Sequence, residues 1–439
     1  MNNKLIPALL LLAGLAGALQ AASGGVETKD GKTQEAYSID KEIISGIEWS
    51  KARNQPGTKV DIWDLENVRY SVSGMDEYNG LARKYSGGRG GKLKTDAASY
   101  LAGPKPAGLN DDEWARVQLA CQFYVAAGTA MDGDFAGAIG KYTEYLKAAE
   151  AKALDSGIRA KFKSVVGGKD VINAGGLHRL YLDGMVGLAL AYLGNKEATK
   201  ANETAIKPLL DLCSSLAGPS GKKEFYDWSL RALRALAQYS EGAKEYKSAR
   251  EAYDILARTA LQKENGRVSR ASNEAQLKVG YMQILEGDTG GARAKFFEAT
   301  RAWEDQYGKV DAAASPRTNW INPDTAYFTA GCYVGQGLID AAKAKTTSDW
   351  ASALSNFSQA LAVFRSDDEV RSKALLGAAL AASKLAELTK GNVDTASTYA
   401  KLAEKYLTEL TSQLPKTKAA EDDSLAAIET LIKTYKKDE

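Results

Sequence analysis

A pattern that recurs along most of the chain after residue 130 constrains the fold more than any other feature. Each copy has a central alanine, an aromatic or apolar residue four positions later, and a small or apolar residue three positions after that. These spacings place the three side chains on one face of an α-helix. The copies are centred on Ala138, Ala249, Ala292, Ala353 and Ala396. A chain that repeats such a unit is expected to stack helical hairpins, so the sequence predicts a mainly α-helical solenoid.

The clearest copy of this pattern consists of Ala353, Phe357 and Ala360, which follow Asp349-Trp350. We expect Phe357 to be buried between the two helices of its own hairpin, with the two alanines beside it. Loss of a buried ring of this size costs about 3–5 kcal/mol of stability.

The repeated pattern resembles the second helix of the tetratricopeptide repeat. In that family a small residue lies twelve positions before the central alanine, on the first helix, and here Ala126, Ala237 and Gly280 occupy that offset. The resemblance covers roughly residues 111–412 and implies a right-handed superhelix of about six helical pairs. From Ala249 onward, adjacent copies lie 43 to 61 residues apart, whereas the family repeats every 34 or so, so the superhelix is expected to be irregular. An α-hairpin array outside this family is the alternative.

The resemblance also implies where a partner would bind. Groove-facing positions in the family lie eighteen, fifteen and eleven residues before the central alanine. Carried over to two repeats of this chain, they are Arg231, Arg234, Gln238, Glu274, Leu277 and Tyr281. Arginine and tyrosine are favoured anchors in recognition surfaces. We therefore expect a non-enzymatic scaffold that binds a protein or peptide in this groove. The alternative is a cell-envelope enzyme or glycan-binding protein with a site between helices.

The residues that precede the helical array have a different periodicity. Apolar and polar residues alternate from Val60 to Val72, which is typical of half-buried strands, and Asp30-Gly31 is a strong hairpin turn. Four or five short strands are expected here, and their pattern resembles a small SH3- or Sm-like β module. The chain is thus predicted to divide into a signal peptide (1–22), a β module (23–74), a helix with a Gly/Pro-rich connector (75–110), tetratricopeptide-like repeats (111–415) and a C-terminal capping helix (416–439).

The amino-terminal residues have the pattern of a secretory signal peptide. Lys4 precedes an apolar stretch from Leu5 to Leu15, and a cluster of small residues follows. A membrane anchor is the competing interpretation, but a span needs about 20 consecutive apolar residues. We expect an exported bacterial protein, periplasmic or secreted, whose mature chain begins between residues 19 and 23.

Composition argues against several kinds of chemistry. The chain has a single histidine, His178, so a histidine-ligated metal site is not expected, and no cofactor is predicted. Its cysteines, Cys121, Cys213 and Cys332, lie far apart in apolar contexts and are interpreted as buried thiols, with one long-range disulfide as the alternative. The 57 basic and 55 acidic residues nearly balance, which argues against nucleic acid as a partner.

One segment is locally basic. Residues 83–94 contain five positive charges and no acidic residue, interleaved with glycines. This segment is expected either to contact an anionic envelope polymer weakly or to be a solvated linker. Its glycine spacing does not match that of a phosphate-binding loop.

Overall fold

A computed structural model describes residues 23–53, 55, 57–155, 164–166, 169–171, 176–218, 222–307 and 322–437. The predicted signal peptide, 1–22, lies outside the described residues. Contacts divide the chain into two compact units, one ending at Leu236 and the other beginning at Ala237.

The first unit begins with a small antiparallel β module, as predicted. Its strands are β1 (Gly24–Thr28), β2 (Thr33–Ala36), β3 (Ser38–Ile43), β4 (Gly46–Ser50), β5 (Thr58–Asp61) and β6 (Leu65–Tyr70). They form two three-stranded sheets in the orders β2-β1-β6 and β3-β4-β5. The turn at Asp30-Gly31 joins β1 to β2, and Gly31 adopts a φ of +81°, which explains the glycine.

Helices follow the β module. They are interrupted by an antiparallel hairpin of β7 (Ser164–Val166) and β8 (Lys169–Val171). The sequence did not predict this hairpin. The helices that begin in the first unit are α1 (Asp76–Asn79), α2 (Leu81–Ser86), α3 (Gly90–Ala102), α4 (Asp111–Met131), α5 (Phe135–Asp155), α6 (Tyr181–Gly194), α7 (Ala198–Lys200), α8 (Lys207–Ala217) and α9 (Tyr226–Gly242). A capping box starts α4: the Asn110 side chain accepts the Glu113 N–H at 2.9 Å, and the Glu113 carboxylate accepts the Asn110 N–H at 2.8 Å.

The connector is more regular than predicted. In place of the single helix predicted within residues 75–110, the structure has two short helices, α1 and α2, and the glycine-rich segment contains the start of a third, α3. The glycines serve close packing rather than flexibility. A Cβ atom on Gly90 would lie 2.6 Å from the Cβ of Met131, and one on Gly128 would lie 2.7 Å from the Gly90 carbonyl oxygen. α3 and α4 therefore cross at a distance that only glycine allows.

The second unit is a solenoid-like succession of helical hairpins, as the repeated pattern predicts. Its helices are α10 (Tyr246–Lys263), α11 (Arg270–Glu286), α12 (Thr289–Tyr307), α13 (Pro323–Lys343), α14 (Thr347–Val363), α15 (Asp368–Leu388), α16 (Val393–Gln413) and α17 (Leu425–Tyr435). Each helix from α10 to α16 packs on the next, and α17 covers α15 and α16. The capping helix begins later than expected, after a short 3₁₀ turn at Lys418–Glu421.

Two phenylalanines hold these hairpins together. Phe357 is fully buried with Ala353 and Ala360, as predicted. It also contacts more than its own hairpin: a Cβ atom on Gly337 of α13 would lie 2.8 Å from its ring, and one on Gly377 of α15 would lie 2.3 Å from it. Phe357 thus occupies a socket made by glycines of two successive hairpins.

The same arrangement recurs one hairpin earlier. A Cβ atom on Gly280 of α11 would lie 2.4 Å from the ring of Phe296, and one on Gly335 of α13 would lie 2.3 Å from it. Gly280 occupies the small-residue position that the repeat resemblance assigns to the first helix. None of the helices in the described part of the chain combines the length and the apolar character needed to cross a bilayer.

Candidate functional site

Three of the predicted groove residues lie on α9. Arg231 donates from Nη1 to Asp183 Oδ1 of α6 at 3.2 Å. Its guanidinium also lies at the Tyr85 hydroxyl: burial raises the pKa of Tyr85 to about 12, and Arg231 limits that rise. Arg231 is therefore already engaged within the first unit. Arg234 and Gln238 are exposed, and Arg234 has no ion-pair partner in the described parts of the chain.

The other three predicted residues lie on α11 and differ among themselves. Glu274 is exposed. Leu277 is 2% exposed and packs in the hydrophobic core against Gly331 of α13, so its side chain does not face a groove. The family offset fails there because α11 approaches α13 closely enough to enclose that leucine. Tyr281 is half-buried, and its hydroxyl donates to the Gly331 carbonyl at 2.8 Å.

Around Glu274 and Tyr281 lies a polar surface that we call the inner face. It is formed by α11, α13 and α15, the first helices of three hairpins, together with the end of α9 and part of α10. Its side chains are Glu241, Tyr253, Arg270, Glu274, Lys278, Tyr281, Tyr327, Asp367, Glu369 and Lys373.

Ion pairs cross the inner face from helix to helix. The Lys278 ammonium on α11 lies 2.9 Å from Glu241 Oε1 at the end of α9 and 3.9 Å from Glu369 Oε1 on α15. Arg270 on α11 pairs with Asp367, the N-cap residue of α15. Because α12, α13 and α14 separate α11 from α15 in sequence, these pairs show that side chains of two helices distant along the chain meet on one surface.

Aromatic rings lie beneath the cations of this face. The Arg270 guanidinium lies 3.1 Å from the ring centroid of Tyr327, and the Lys373 ammonium lies 5.1 Å from that of Tyr281. Lys373 also pairs with Glu369 Oε1 at 2.7 Å. Such cation–ring contacts contribute about 0.5–1 kcal/mol each at exposed sites.

Two carboxylates of the inner face, Glu241 and Glu369, have pKa values held below the ordinary value and are ionised at neutral pH. Burial alone would raise the pKa of Glu241, but hydrogen bonds from Tyr253 (2.6 Å) and Lys278 more than offset burial and lower that pKa. Burial likewise opposes the ionisation of Glu369, but Lys373, Lys278 and Lys418 hold its pKa below the ordinary value. The face is therefore a set of charged groups, available to a charged partner.

A second polar cluster, which the sequence analysis missed, is buried in the first unit around Glu42 of β3. Arg179 donates from Nε to Glu42 Oε2 at 2.8 Å, Tyr70 donates its hydroxyl to Oε1, and Arg116 Nε lies 3.6 Å from Oε1. Burial would raise the pKa of Glu42, but Arg179 and Arg116 more than offset burial and hold it below its ordinary value. This cluster ties the β module to α4 and to the segment that precedes α6.

The histidine belongs to the same buried region. His178 Nδ1 shares a hydrogen bond with the Tyr145 hydroxyl at 3.0 Å, and its Nε2 has no partner among the described atoms. Burial lowers the pKa of His178 to about 3, reinforced by Arg179. The ring is therefore neutral at physiological pH. It occupies a structural position, enclosed between the Tyr145 hydroxyl and the Glu42 cluster.

A backbone irregularity explains why Glu42 was missed. Strict alternation would place Glu42 on the face opposite Ile39, which is buried. The register of β3 against β4 shifts between Ile39 and Lys41, so Glu42 also turns inward. A β-bulge of this kind reverses the alternation on which a sequence prediction depends.

Acidic residues of this chain pair with three of the five cations of the basic segment. Arg83 pairs with Glu27 at 3.2 Å, Lys94 pairs with Asp132 at 2.9 Å, and Lys84 pairs with Asp96. The Asp132 carboxylate also lies beside the first turn of α3, where an anion would otherwise bind. These pairs disfavour the expected contact with an anionic polymer.

Two further expectations concern metals and thiols. The described residues contain no group of three or more histidine, cysteine, aspartate or glutamate side chains arranged to hold a metal ion. All three cysteines are buried free thiols, so the alternative of a long-range disulfide is not realised.

Comparison with known proteins does not assign the chain to a family. No protein-family model matches it, and no curated protein matches it. The inner face combines exposed charged side chains with the half-buried ring of Tyr281, and a function is best inferred from it.

Proposed function

We propose that this protein is an exported, non-enzymatic scaffold of tetratricopeptide-like repeats that binds a protein or peptide segment on its inner face. One observation carries the proposal: three successive first helices contribute to one surface, on which side chains of α11 and α15 meet across α13. A surface built in this way offers an extended polypeptide several anchoring points in a row.

Two features of the sequence support the repeat type and the export that the proposal includes. The repeat pattern, including the small residue at Gly280, supports the tetratricopeptide type. The apolar segment and small residues of 1–22 support export to the periplasm or the medium.

Affinity capture from the native cell envelope, followed by quantitative mass spectrometry, tests the proposed binding. The chain is compared with a Glu274→Arg variant on the inner face and a Glu298→Arg variant on α12. Both glutamates are exposed and neither has an ion-pair partner within the described ranges, so both variants are expected to fold.

The proposal predicts a protein that is recovered equally by the chain and by Glu298→Arg, but at least about fivefold less by Glu274→Arg. If every recovered protein were insensitive to Glu274→Arg, or equally sensitive to both variants, the inner face would not be the binding surface.

A further inference from the structure

Three tyrosines of the inner face share one arrangement. Each lies beside a carboxylate, and a lysine or arginine side chain forms an ion pair with that carboxylate while lying over the tyrosine ring. We call these pairs cation seats. The seats, each followed by its resident cation, are Tyr253 with Glu241 (Lys278), Tyr281 with Glu369 (Lys373) and Tyr327 with Asp367 (Arg270).

The geometry of the seats suits a basic side chain. In the second seat the Lys373 ammonium lies 2.7 Å from Glu369 and 5.1 Å from the ring centroid of Tyr281. In the first, Lys278 lies 2.9 Å from Glu241 and 6.0 Å from the ring centroid of Tyr253. A carboxylate and an aromatic face together supply an ion pair and a cation–π contact to one cation.

The seat of Tyr281 and Glu369 is the most accessible of the three, because Tyr281 is half-buried whereas Tyr253 and Tyr327 are buried, so its resident cation, Lys373, is exchangeable. The side chains of Glu369 and Lys373 are 58% and 35% exposed, whereas the carboxylates of the other two seats, Glu241 and Asp367, are 30% and 21% exposed. Ion pairs at this level of exposure contribute about 0–1 kcal/mol each, so a competing lysine or arginine can displace the resident group at small cost.

The face also holds a carboxylate without a resident cation. Glu274 lies one helical turn from Arg270 and one from Lys278 on α11, and both of those cations are paired with other residues. Glu274 itself has no ion-pair partner in the described ranges. The negative charges of Glu274 and Glu369 also reach the tyrosine hydroxyls. Burial is the main cause that raises the pKa values of Tyr253 and Tyr327, and the two carboxylates raise both further.

We propose that the inner face binds a basic polypeptide segment. One lysine or arginine of the segment takes over the seat of Tyr281 and Glu369, and another forms an ion pair with Glu274. This inference rests on the proposed function, because it names the chemistry of the partner for the same surface.

A direct binding measurement with the full chain tests the chemistry. The probe is a fluorescein-labelled peptide of alternating glycine and lysine or arginine, and its counterpart carries glutamate at the basic positions. Fluorescence anisotropy at low and high salt is expected to show binding of the basic peptide only. That binding should weaken with salt, because exposed charges are screened.

Variants of one seat make the test specific. Lys373→Met empties the seat of Tyr281 and Glu369, and should tighten binding of the basic peptide by about threefold to tenfold. Glu369→Gln and Glu274→Gln remove carboxylates and should each weaken binding by about threefold or more. Lys384→Met and Glu387→Gln, which alter an ion pair of 2.9 Å farther along α15, serve as matched controls and should leave affinity unchanged. Circular dichroism is used to check that all five variants keep their helices.

The outcomes separate this inference from the proposed function. Binding of the acidic peptide, or weaker binding of the basic peptide by Lys373→Met, would overturn the basic occupant. If neither peptide bound while a captured protein still depended on Glu274, the basic occupant would be wrong and the scaffold proposal would stand. If no captured protein depended on Glu274 although the basic peptide bound as described, the cation seats would be correct and the scaffold proposal would fail.

Discussion

Glu42 in the first unit and Glu369 in the second each form a short ion pair, but their surroundings differ. The partner of Glu42 is Arg179, which is distant in sequence, and the partner of Glu369 is Lys373, one helical turn away. Glu42 is enclosed, with Arg179, Arg116 and Tyr70 arranged around it. Glu369 is mostly exposed and shares its cations with the solvent. Burial makes a charged pair indispensable once it is formed, because neither partner can be solvated after the other is lost. Exposure makes the same kind of pair weak and replaceable.

The largest effect is expected from removing the buried charge. Glu42→Gln leaves Arg179 and Arg116 enclosed without their shared counter-ion, which should lower the free energy of unfolding by about 3–5 kcal/mol. Urea denaturation followed by circular dichroism measures this loss.

Glu369→Gln provides the matched comparison in the second unit. It should cost less than about 1 kcal/mol, and its effect should shrink as salt is added. Equal losses for the two variants would mean that the Glu42 cluster is solvated or that the inner face is closed.

A loss of similar size is expected from a core residue without any charge. Phe357→Ala empties a socket bounded by Gly337 and Gly377, and should cost about 3–5 kcal/mol. Because that socket belongs to two hairpins, hydrogen exchange should quicken in α13 and α15 as well as in α14. Val393→Ala, at an exposed apolar position on α16, is the control. Exchange that quickened in α14 alone would contradict the shared socket.

An intermediate effect is expected from acid. The folded-state pKa of His178 is about 3, whereas its ordinary value is 6.5. Between these values the unfolded chain holds one more proton than the folded chain. Stability should therefore fall as the pH falls, by up to about 1.4 kcal/mol per pH unit.

His178 is the only histidine in the sequence, so its contribution can be isolated. Urea unfolding of the chain and of His178→Gln at about pH 7, 6 and 5 should show the slope in the first and its loss in the second. If the variant kept the same slope, another group would be responsible for it.

The smallest changes in stability are expected at Arg231 and Arg234, two arginines for both of which the sequence predicts a groove position. Arg231→Glu places a carboxylate against Asp183 and should cost about 1 kcal/mol, whereas Arg234→Glu should change stability by less than about 0.5 kcal/mol. Thermal unfolding of both variants measures the difference. Identical melting curves would mean that the Arg231–Asp183 contact contributes nothing in solution.

Sequence reasoning succeeded where the signal is local and periodic. The position of Phe357 followed from helical spacing alone, because one helix face must be buried in any stack of hairpins. It missed the Glu42 cluster, which depends on a bulge in β3 and on Arg116 and Arg179 arriving from distant parts of the chain. It also misread the glycines at the start of α3, since close helix crossing and flexibility require the same residue.

The groove positions show the same limit at the level of single side chains. The spacing correctly put Glu274 at the surface. Leu277, three residues later, is enclosed, because the distance between α11 and α13 is set by Gly331 on the neighbouring helix. The distance between the two helices cannot be predicted from the residues of α11 alone.

The phenylalanine sockets bear on how such a chain can be lengthened or shortened. Phe296 and Phe357 each lie on a second helix, between a glycine on the first helix of their own hairpin and a glycine on the first helix of the next, so each socket spans three consecutive helices and crosses a hairpin border. A duplication or deletion that respects hairpin borders would separate each ring from half of its socket. One that runs from a second helix through the following first helix would separate each ring from the other half of its socket. A change in the number of repeats therefore preserves the packing only where the new neighbouring helix supplies a glycine at the same position.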